Sequence, residues 1–213
     1  MAIVENPAIG KASGSVGNVV FSSCYGLNIM KTKASNPKNP RTPAQQFNRW
    51  RFKKVRDLVC PMLKYINPAY AGSIPNMSPY NRVTSINKLH CFVGDTDEID
   101  PGKFILCEND GSFVGNVVLT STEADTITAT FDSNAQNDDE GSDPVKAYGF
   151  DISGNKIWKF WEETVRSSGT MTVIHPEMSG LNIAVYLECL DRVKLLSGKP
   201  MHVIKYVGLV AVI

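Results

Sequence analysis

The stretch NIAVYLECL, at residues 182–190, alternates its side chains with the period of a β-strand, and ITATFD, at residues 127–132, does the same. Turn signals such as NDGS at 109–112 and SGN at 153–155 separate further short runs rich in β-branched and aromatic residues. The pattern predicts strands at residues 103–108, 113–120, 126–132, 144–152, 156–161, 170–174, 182–190 and 202–213. We therefore expect a mainly β protein whose residues 103–213 form an antiparallel β-sandwich of immunoglobulin or fibronectin type.

Two segments before the sandwich lack this alternation. Residues 1–41 are rich in glycine and proline, which predicts an extended arm or a β-hairpin. Residues 67–102 contain several prolines and are expected to form a linker, with one short helix near residues 79–88.

One long α-helix is predicted between these segments, over residues 42–66. Thr42 and Gln45 form a capping box around Pro43, a combination typical of a helix start. Apolar residues then recur at helical spacing, which predicts one core-facing side. Its members are Ala44, Phe47, Val55, Leu58, Val59, Met62 and Ile66.

The charges of the chain are unevenly distributed. Residues 1–66 contain 11 lysines and arginines and only two acidic residues, whereas residues 67–213 contain 11 basic and 19 acidic residues. The net charge of +1 therefore conceals a basic N-terminal part and an acidic body. Such a separation points to what the protein binds or stacks against rather than to its fold.

No catalytic or metal-binding motif stands out. The three histidines, His90, His175 and His202, are far apart, and none has HExxH spacing. His90 and Cys91 are adjacent, but neighbouring side chains on a strand point to opposite faces, so they do not predict a dyad. The five cysteines are widely spaced without a CxxC, which favours reduced, mostly buried thiols. We expect no enzyme activity, no cofactor and no small-molecule substrate.

Two acidic stretches, DTDEIDPG at 95–102 and NDDEGSD at 137–143, are compatible with more than one role. Asp95 and Asp97 begin the ligand pattern of a calcium loop, but Ile99 stands where a third oxygen ligand is required. The stretches are solvated loops, calcium ligands or an electrostatic docking surface, and we favour docking against a basic neighbour. The predicted acidic counter-surface comprises Asp95, Asp97, Glu98, Asp138, Asp139 and Glu140.

The helix carries a basic and aromatic surface away from its core-facing side, around Trp50 and Phe52. This surface is compatible with simple solvation, with nucleic-acid binding through phosphates and base stacking, and with self-assembly on the acidic body of a neighbouring copy. We favour self-assembly, because the acidic body would repel a nucleic acid that approached closely. The predicted assembly interface comprises Arg41, Arg49, Trp50, Arg51, Phe52, Lys53, Lys54 and Arg56.

The runs GSVGNVVF, YGLNIMKTKAS and NPRTPAQQFNRWRF, between residues 14 and 52, carry a family resemblance. They resemble the N-terminal signature GxxGxV…NPxTxxQxxxRxxF of an uncharacterised family found in gut-type bacteria, their prophages and tailed phages, including crass-like phages. The matching positions are Gly14, Gly17, Gly26, Lys31, Asn39, Pro40, Thr42, Gln45 or Gln46, Arg49 and Phe52. The chain departs from the family at Lys31, often arginine there, and in the acidic loop 134–143.

The resemblance implies a virion component rather than an enzyme. We expect a structural subunit of a tailed-phage neck, connector or tail ring, whose partners are copies of itself and other virion proteins. The N-terminus does not look like a signal peptide and no run is long enough to span a membrane, so the protein is expected to be made in the host cytoplasm and to reside in the virion. The alternatives are a nucleic-acid-binding phage accessory protein and a bacterial β-sandwich adhesion or binding module.

Overall fold

The computed structural model of the chain describes residues 2–3, 13–36, 38–70, 76–96, 98–151, 157–158, 163–196 and 198–213. The strands are β1 (Ala2–Ile3), β2 (Gly14–Val16), β3 (Val19–Cys24), β4 (Leu27–Thr32), β5 (Gly115–Thr120), β6 (Thr126–Asp132), β7 (Pro144–Asp151), β8 (Ile157–Trp158), β9 (Glu163–Val165), β10 (Thr170–Ile174), β11 (Asn182–Leu196) and β12 (Lys199–Ala211). The α-helices are α1 (Pro43–Ala69), α2 (Pro79–His90) and α3 (Asp138–Gly141), and short 3-10 helices lie at Pro101–Lys103 and Arg166–Ser168.

The strands form three antiparallel sheets in the part of the chain that the structure describes. The N-terminal sheet has the strand order β1-β4-β3-β2. A three-stranded sheet has the order β10-β6-β5. The third sheet has the order β12-β11-β7-β8, and β9 also pairs with β7. The prediction of a mainly β protein with antiparallel sheets is confirmed.

The two C-terminal sheets pack face to face as a β-sandwich. Ile127 of β6 and Met171 of β10 are buried together with Val185 and Leu187 of β11. Burial of such side chains contributes about 1.5–3 kcal/mol each, so this shared core holds the two sheets together.

The opposite face of the larger sheet is covered by helices. Neighbouring residues of a strand face opposite sides, so Ala184 and Tyr186 of β11 point away from the sandwich core. They are buried with Tyr148 of β7, Val59 of α1 and Val83 of α2. The β7–β11–β12 sheet is therefore buried on both faces, and the body consists of a helical layer, a large sheet and a small sheet.

Helix α1 begins where the capping box predicts and ends three residues later than expected, at Ala69. The Gln45 amide donates a hydrogen bond to Thr42 Oγ1 at 3.4 Å. The buried residues of the helix start at Val55 and lie on one face, whereas Ala44 and Phe47, which were expected in the core, are exposed. The expectation for these two residues is wrong because the core clusters of the described body include α1 residues only from Val55 onward.

Residues 103–108 were expected to form a strand, and they do not. The fully buried Asn87 of α2 donates to the Ile105 carbonyl at 2.7 Å and accepts from the Ile105 amide at 2.8 Å. Phe104 and Leu106, on either side, fill the core between helices and sheet. A side-chain amide thus satisfies the backbone of Ile105 where a strand would have needed a neighbouring strand.

Other strand boundaries are close to the predicted ones. Strands β6 and β10 have the predicted bounds, whereas β11 and β12 extend towards each other as one long hairpin. The strand predicted at 156–161 is described only at Ile157–Trp158, and its other residues, like the SGN turn at 153–155, lie outside the described residues.

Candidate assembly surface

In the N-terminal sheet, formed by β1 to β4, the described part of β2 to β4 contains no buried residue. Every described residue from 13 to 36 is exposed or half-buried. Strands β3 and β4 are joined by Tyr25 and Gly26, at φ 50° and 80°, the left-handed pair that a two-residue hairpin turn requires. The turn leaves the Tyr25 ring exposed at the tip of the sheet.

Apolar side chains occur on both faces of this sheet. Phe21 pairs with Met30 in the β3–β4 register, so these two share one face. Val20 and Ile29 alternate with them and therefore lie on the other face. Small sheets need a packed hydrophobic face for stability, and this sheet has two half-covered ones. None of its described residues belongs to either of the two core clusters of the body.

The first half of α1, residues 43–54, continues this exposed region. All of its residues are exposed or half-buried, and Trp50 is 39% exposed. Phe47 stacks on Trp50 with ring centroids 6.5 Å apart and an interplanar angle of 15°. Lys54 Nζ lies 4.9 Å from the Trp50 centroid, within cation–π range, while Phe52 and Lys53 are also exposed. This half of the helix presents a rigid basic and aromatic surface, as the sequence predicts.

Arg51 has an intramolecular role that the sequence does not predict. Its Nη2 donates to the carbonyls of Gly94 and Thr96 at 2.8 and 2.7 Å. Its guanidinium also lies 4.5 Å from the Phe47 ring centroid and 4.7 Å from that of Phe92. Arg51 therefore fastens the 93–98 loop to α1, and no local pattern indicates a contact between residues more than 40 positions apart.

The other basic residues of the predicted interface lie at the surface. Arg49 Nη2 donates to Asn39 Oδ1 at 2.5 Å, which links the helix to the connector before it. Arg56 forms an exposed ion pair with Asp57 at 2.7 Å, an arrangement that contributes little to stability. Arg41 is exposed, and its backbone φ angle is 49°. These contacts leave the charges of this region accessible to a partner.

The predicted acidic counter-surface does not form one patch. Asp95 and Glu98 are exposed but lie in the loop that Arg51 holds against the basic helix itself. Asp97 lies outside the described residues. Asp138 and Asp139 are exposed on α3. Of the six predicted residues, Asp138 and Asp139 are therefore the two that the structure describes as exposed and remote from Arg51.

Glu140 is not part of that surface, because it is only 4% exposed. Arg166, 1% exposed, donates from Nη1 to Glu140 Oε1 at 2.8 Å. Ser112 Oγ and the Gln136 amide donate to the same carboxylate at 2.6 and 2.8 Å. These hydrogen bonds, with the Arg166 charge, hold the pKa of Glu140 below its usual range. Glu140 therefore anchors the α3 loop and is unavailable to a neighbouring copy.

Contacts with α1 place the two acidic segments at opposite ends of the helix. The 93–98 loop is bonded to Arg51, in the N-terminal half. At the C-terminal end, Asn109 Nδ2 donates to the Ala69 carbonyl at 2.6 Å. Three residues further on, Ser112 is bonded to Glu140 of α3. The two points of contact, Arg51 and Ala69, are 18 residues apart, or about 27 Å along the helix, so α3 lies away from the basic half of α1.

A buried polar cluster joins three strands beneath α1. Glu188 Oε2 accepts a short hydrogen bond from the Tyr148 hydroxyl, and His202 Nδ1 contacts Glu188 Oε1. Burial and the Glu188 carboxylate raise the pKa of Tyr148. Sequence reasoning missed this cluster, since its members are far apart in the chain. Tyr148 and His202 each contact one oxygen of the buried Glu188 carboxylate, so neither oxygen is buried without a polar partner.

The cysteines and acids show no reactive or metal-binding arrangement in the described residues. All five cysteines are free, and Cys91, Cys107 and Cys189 are buried. Burial raises the pKa of the Cys91 thiol to about 12, which disfavours the thiolate that a nucleophile needs. No group of three or more histidine, cysteine, aspartate or glutamate side chains is placed to hold a metal ion among these residues. None of the described helices is both long and apolar enough to cross a membrane.

Comparison with known proteins assigns a family but no activity. The family described as "Family of unknown function (DUF6266)" matches residues 11–192, which include β2 to β4 of the N-terminal sheet, the helices and most of the sandwich. No curated protein and no solved structure matches the chain.

Proposed function

The chain belongs to the family of unknown function DUF6266, and we propose that it is a non-enzymatic structural subunit of a tailed-phage virion. Copies of the subunit assemble into a ring in the neck, connector or tail, through contacts made by the N-terminal sheet and the basic half of α1. The virion assignment is supported by the resemblance of residues 14–52 to a signature found among phage structural genes.

The observation that carries the assembly proposal is the exposed N-terminal region. In the part that the structure describes, strands β2 to β4 have apolar side chains on both faces and no buried residue. Further along the chain, Trp50 and Phe52 are exposed on the first half of α1, whereas the second half buries one of its faces in the core. Apolar surface left open beside a well-packed body is typical of interaction sites.

The distribution of charge supports a head-to-tail contact. Residues 13–56 contain lysines and arginines and no acidic residue. Asp138 and Asp139 are exposed on α3, beyond the opposite end of α1. Complementary surfaces at opposite ends of one subunit produce heterologous contacts, which close into a ring when the rotation between copies allows it.

Nucleic-acid binding is the alternative that one specific observation favours. The exposed Trp50 ring lies beside Lys54, a combination that stacks on bases and contacts phosphates in single-strand binding proteins. The exposed Asp95 and Glu98 lie close to the same half of the helix and oppose the approach of a polyanion. For this reason self-assembly remains our proposal.

The size of the purified protein tests the proposal. Mass photometry and negative-stain images over a range of concentrations should show multimers, and light scattering should show their loss in the double variant Arg49→Glu/Lys53→Glu. The control, Lys64→Glu/Lys88→Glu, makes the same charge change on the C-terminal half of α1 and on α2, and should assemble like the wild type.

Four results would contradict the proposal. A wild-type protein that stays monomeric at all concentrations would rule out assembly by itself. Multimers that survive the Arg49 and Lys53 changes would rule out the proposed contact. A monomer that shifts DNA in a gel at low salt, but not at high salt, would support the nucleic-acid alternative. Separately, a gene neighbourhood without portal and terminase genes would contradict the virion assignment.

A further inference from the structure

The outer face of the small sheet, with strand order β10-β6-β5, is exposed. In each of its strands, residues that face the sandwich core alternate with residues that point outward. Val118 of β5 is 55% exposed, and Ile174, the last residue of β10, is 66% exposed. Threonines occupy most of the other outward positions, in the cross-strand pairs Thr120↔Thr128, Thr128↔Thr172 and Thr130↔Thr170.

This outer face has little conformational freedom to lose when a partner binds. Threonine is β-branched, so its side chain is restricted about χ1, and the inner side of the same strands is packed in the sandwich core. Each threonine offers both a methyl group and a hydroxyl group, so the face can contact apolar and polar groups alike. A surface fixed in advance loses little entropy on binding, which favours docking.

The strands of this face and the turns between them carry acidic residues and no basic ones. Residues 104–145 and 167–191, which include β5, β6 and β10, contain no lysine or arginine. Three exposed acids lie at the ends of the strands, namely Glu123 between β5 and β6, Asp132 at the end of β6 and Glu177 after β10, and we call them the acidic rim. A partner should therefore offer apolar side chains flanked by positive charge.

Two described cations from other segments lie beside this sheet, and both are paired. Arg166, which precedes β10, is 1% exposed and donates to Glu140. Lys205 Nζ lies 5.5 Å from the ring centroid of Phe113, just before β5, and 3.0 Å from Asp110 Oδ1. Neither cation therefore neutralises the acidic rim.

The exposed acids of α3 have a different environment. The hydrogen bond from Arg192 to Asp143 and, to a smaller extent, the charge of Asp139 raise the pKa of Arg192. The Arg192 side chain is 50% exposed, so Asp139 has an exposed cation nearby. Of the two acidic surfaces, the acidic rim is the better match for a basic partner.

The basic half of α1 has the required combination of groups. Trp50 is 39% exposed and Phe52 is 42% exposed. Arg49 and Lys53, one helical turn apart, are exposed on the side of α1 that points away from Arg51. The 93–98 loop, which Arg51 binds, therefore lies on the other side of the helix. The aromatic rings and positive charges of this half complement the apolar and acidic parts of the outer face.

The contact must join two copies. Val59 of α1 is buried against one face of the large sheet, together with Tyr186 of β11. Ile127 of β6 and Met171 of β10 are buried against the opposite face. The large sheet therefore lies between α1 and the small sheet, so the basic half of α1 cannot reach the outer face within its own chain.

We propose that the outer face of the small sheet, with its acidic rim, binds the basic half of α1 of a second copy. The proposal rests on the proposed self-assembly and names the surface that receives the helix. The helical layer of one copy then stacks on the small sheet of the next. Such a heterologous contact leaves one helix and one outer face open at the ends of every incomplete assembly, so further copies can add until a ring closes.

The double variant Glu123→Lys/Glu177→Lys tests the outer face. In mass photometry it should raise the protein concentration at half-assembly by more than about tenfold, because the basic half of α1 then meets like charge. The matched control, Asp138→Lys/Asp139→Lys, makes the same charge change on α3 and should assemble like the wild type. All four positions are exposed, so both variants should give the circular dichroism spectrum of the wild type.

The concentrations at half-assembly decide between the surfaces. If the wild type assembles and the outer-face variant assembles equally well, this proposal is wrong and self-assembly stands. Loss of assembly in the α3 variant, alone or to the same extent as in the outer-face variant, would also overturn the proposal, because the effect would not be specific to the acidic rim. If the wild type never assembles, this proposal and self-assembly are both wrong.

Mixing two charge-reversed proteins tests the identity of the partner. Arg49→Glu/Lys53→Glu reverses the charge of the helix and the outer-face variant reverses that of the acidic rim, so each should be monomeric alone at the half-assembly concentration of the wild type. Their mixture should form multimers, because every helix can then meet an outer face of opposite charge. A mixture that stays monomeric would show that the outer face does not bind the basic half of α1.

Discussion

Replacing Arg166 with methionine should destabilise the protein strongly, although the residue belongs to no surface. The Arg166 guanidinium makes hydrogen bonds to Ser133 O at 2.5 Å, Glu140 Oε1 at 2.8 Å and Ser112 Oγ at 2.9 Å. Methionine has a similar volume but leaves the Glu140 carboxylate buried without its counter-charge. Breaking a buried ion pair in this way costs about 3–5 kcal/mol.

The structure narrows the expected loss of unfolding free energy. Glu140 keeps its hydrogen bonds from Ser112 and from the Gln136 amide, which compensate part of the loss. We therefore expect a value near the lower limit, about 3 kcal/mol, still a large part of the about 5–15 kcal/mol of a typical domain. In a Glu140→Gln background the same change should cost less, by about 1–3 kcal/mol, because no charge is left unpaired.

Urea denaturation at pH 7, followed by tryptophan fluorescence and circular dichroism, measures these values. The matched control is Arg56→Met, which breaks the exposed Arg56–Asp57 pair and should leave the urea midpoint close to that of the wild type, because exposed ion pairs contribute little to stability. An Arg166→Met effect as small as that of the control would refute the reasoning. An equal loss with and without Glu140 would show that the unpaired carboxylate is not its cause.

Three further outcomes follow from buried polar groups. The pKa of Glu140 is lowered in the folded state, mainly by its Ser112 hydrogen bond, so its contribution to stability is present above the unfolded value of about 4.3 and is lost progressively as the pH falls from that value towards the lower folded pKa. Urea midpoints should therefore fall less between pH 7 and pH 3 in Glu140→Gln than in the wild type, and an equal fall would contradict this role of Glu140. Asn87→Ala should cost about 2–4 kcal/mol in urea unfolding, since the Ile105 amide and carbonyl lose their partner, whereas a loss below 1 kcal/mol would contradict that role. Tyr186→Phe should lower the unfolding free energy by about 1–2 kcal/mol in the same assay, because the Tyr186 hydroxyl donates to the Pro101 and Phe104 carbonyls at 2.8 and 3.1 Å. An unchanged urea midpoint would show that these hydrogen bonds do not stabilise the protein.

Local patterns predicted the elements whose formation depends on near neighbours. The start of α1 followed from Thr42 and Gln45, three residues apart. The bounds of β6 and β10 followed from alternation within each strand. Residues 103–108 are as rich in apolar and β-branched side chains as a strand. The buried Asn87 side chain nevertheless supplies the hydrogen bonds of Ile105, so no strand forms there.

The candidate surface was predicted in outline only. The exposure of Trp50 and the adjacent basic residues could be read from helical spacing. The role of Arg51 as a clamp on the 93–98 loop could not, because that contact joins segments far apart in the chain. The exposure of Val193 and Leu195, at 85% and 60%, was also not predicted, because no local pattern shows that the last residues of β11 leave the body.

The sequence by itself determined the antiparallel strands, the capped helix and the separation of basic from acidic residues, because propensity, capping and charge count depend on residues only a few positions apart. The tertiary structure decided which charges face outward. Glu140 and Asp138 belong to the same acidic run, yet one is buried against Arg166 and the other is exposed. Burial and ion pairing depend on partners brought together from distant parts of the chain, so only the packed molecule distinguishes a charge that anchors the fold from one that is free to meet a neighbour.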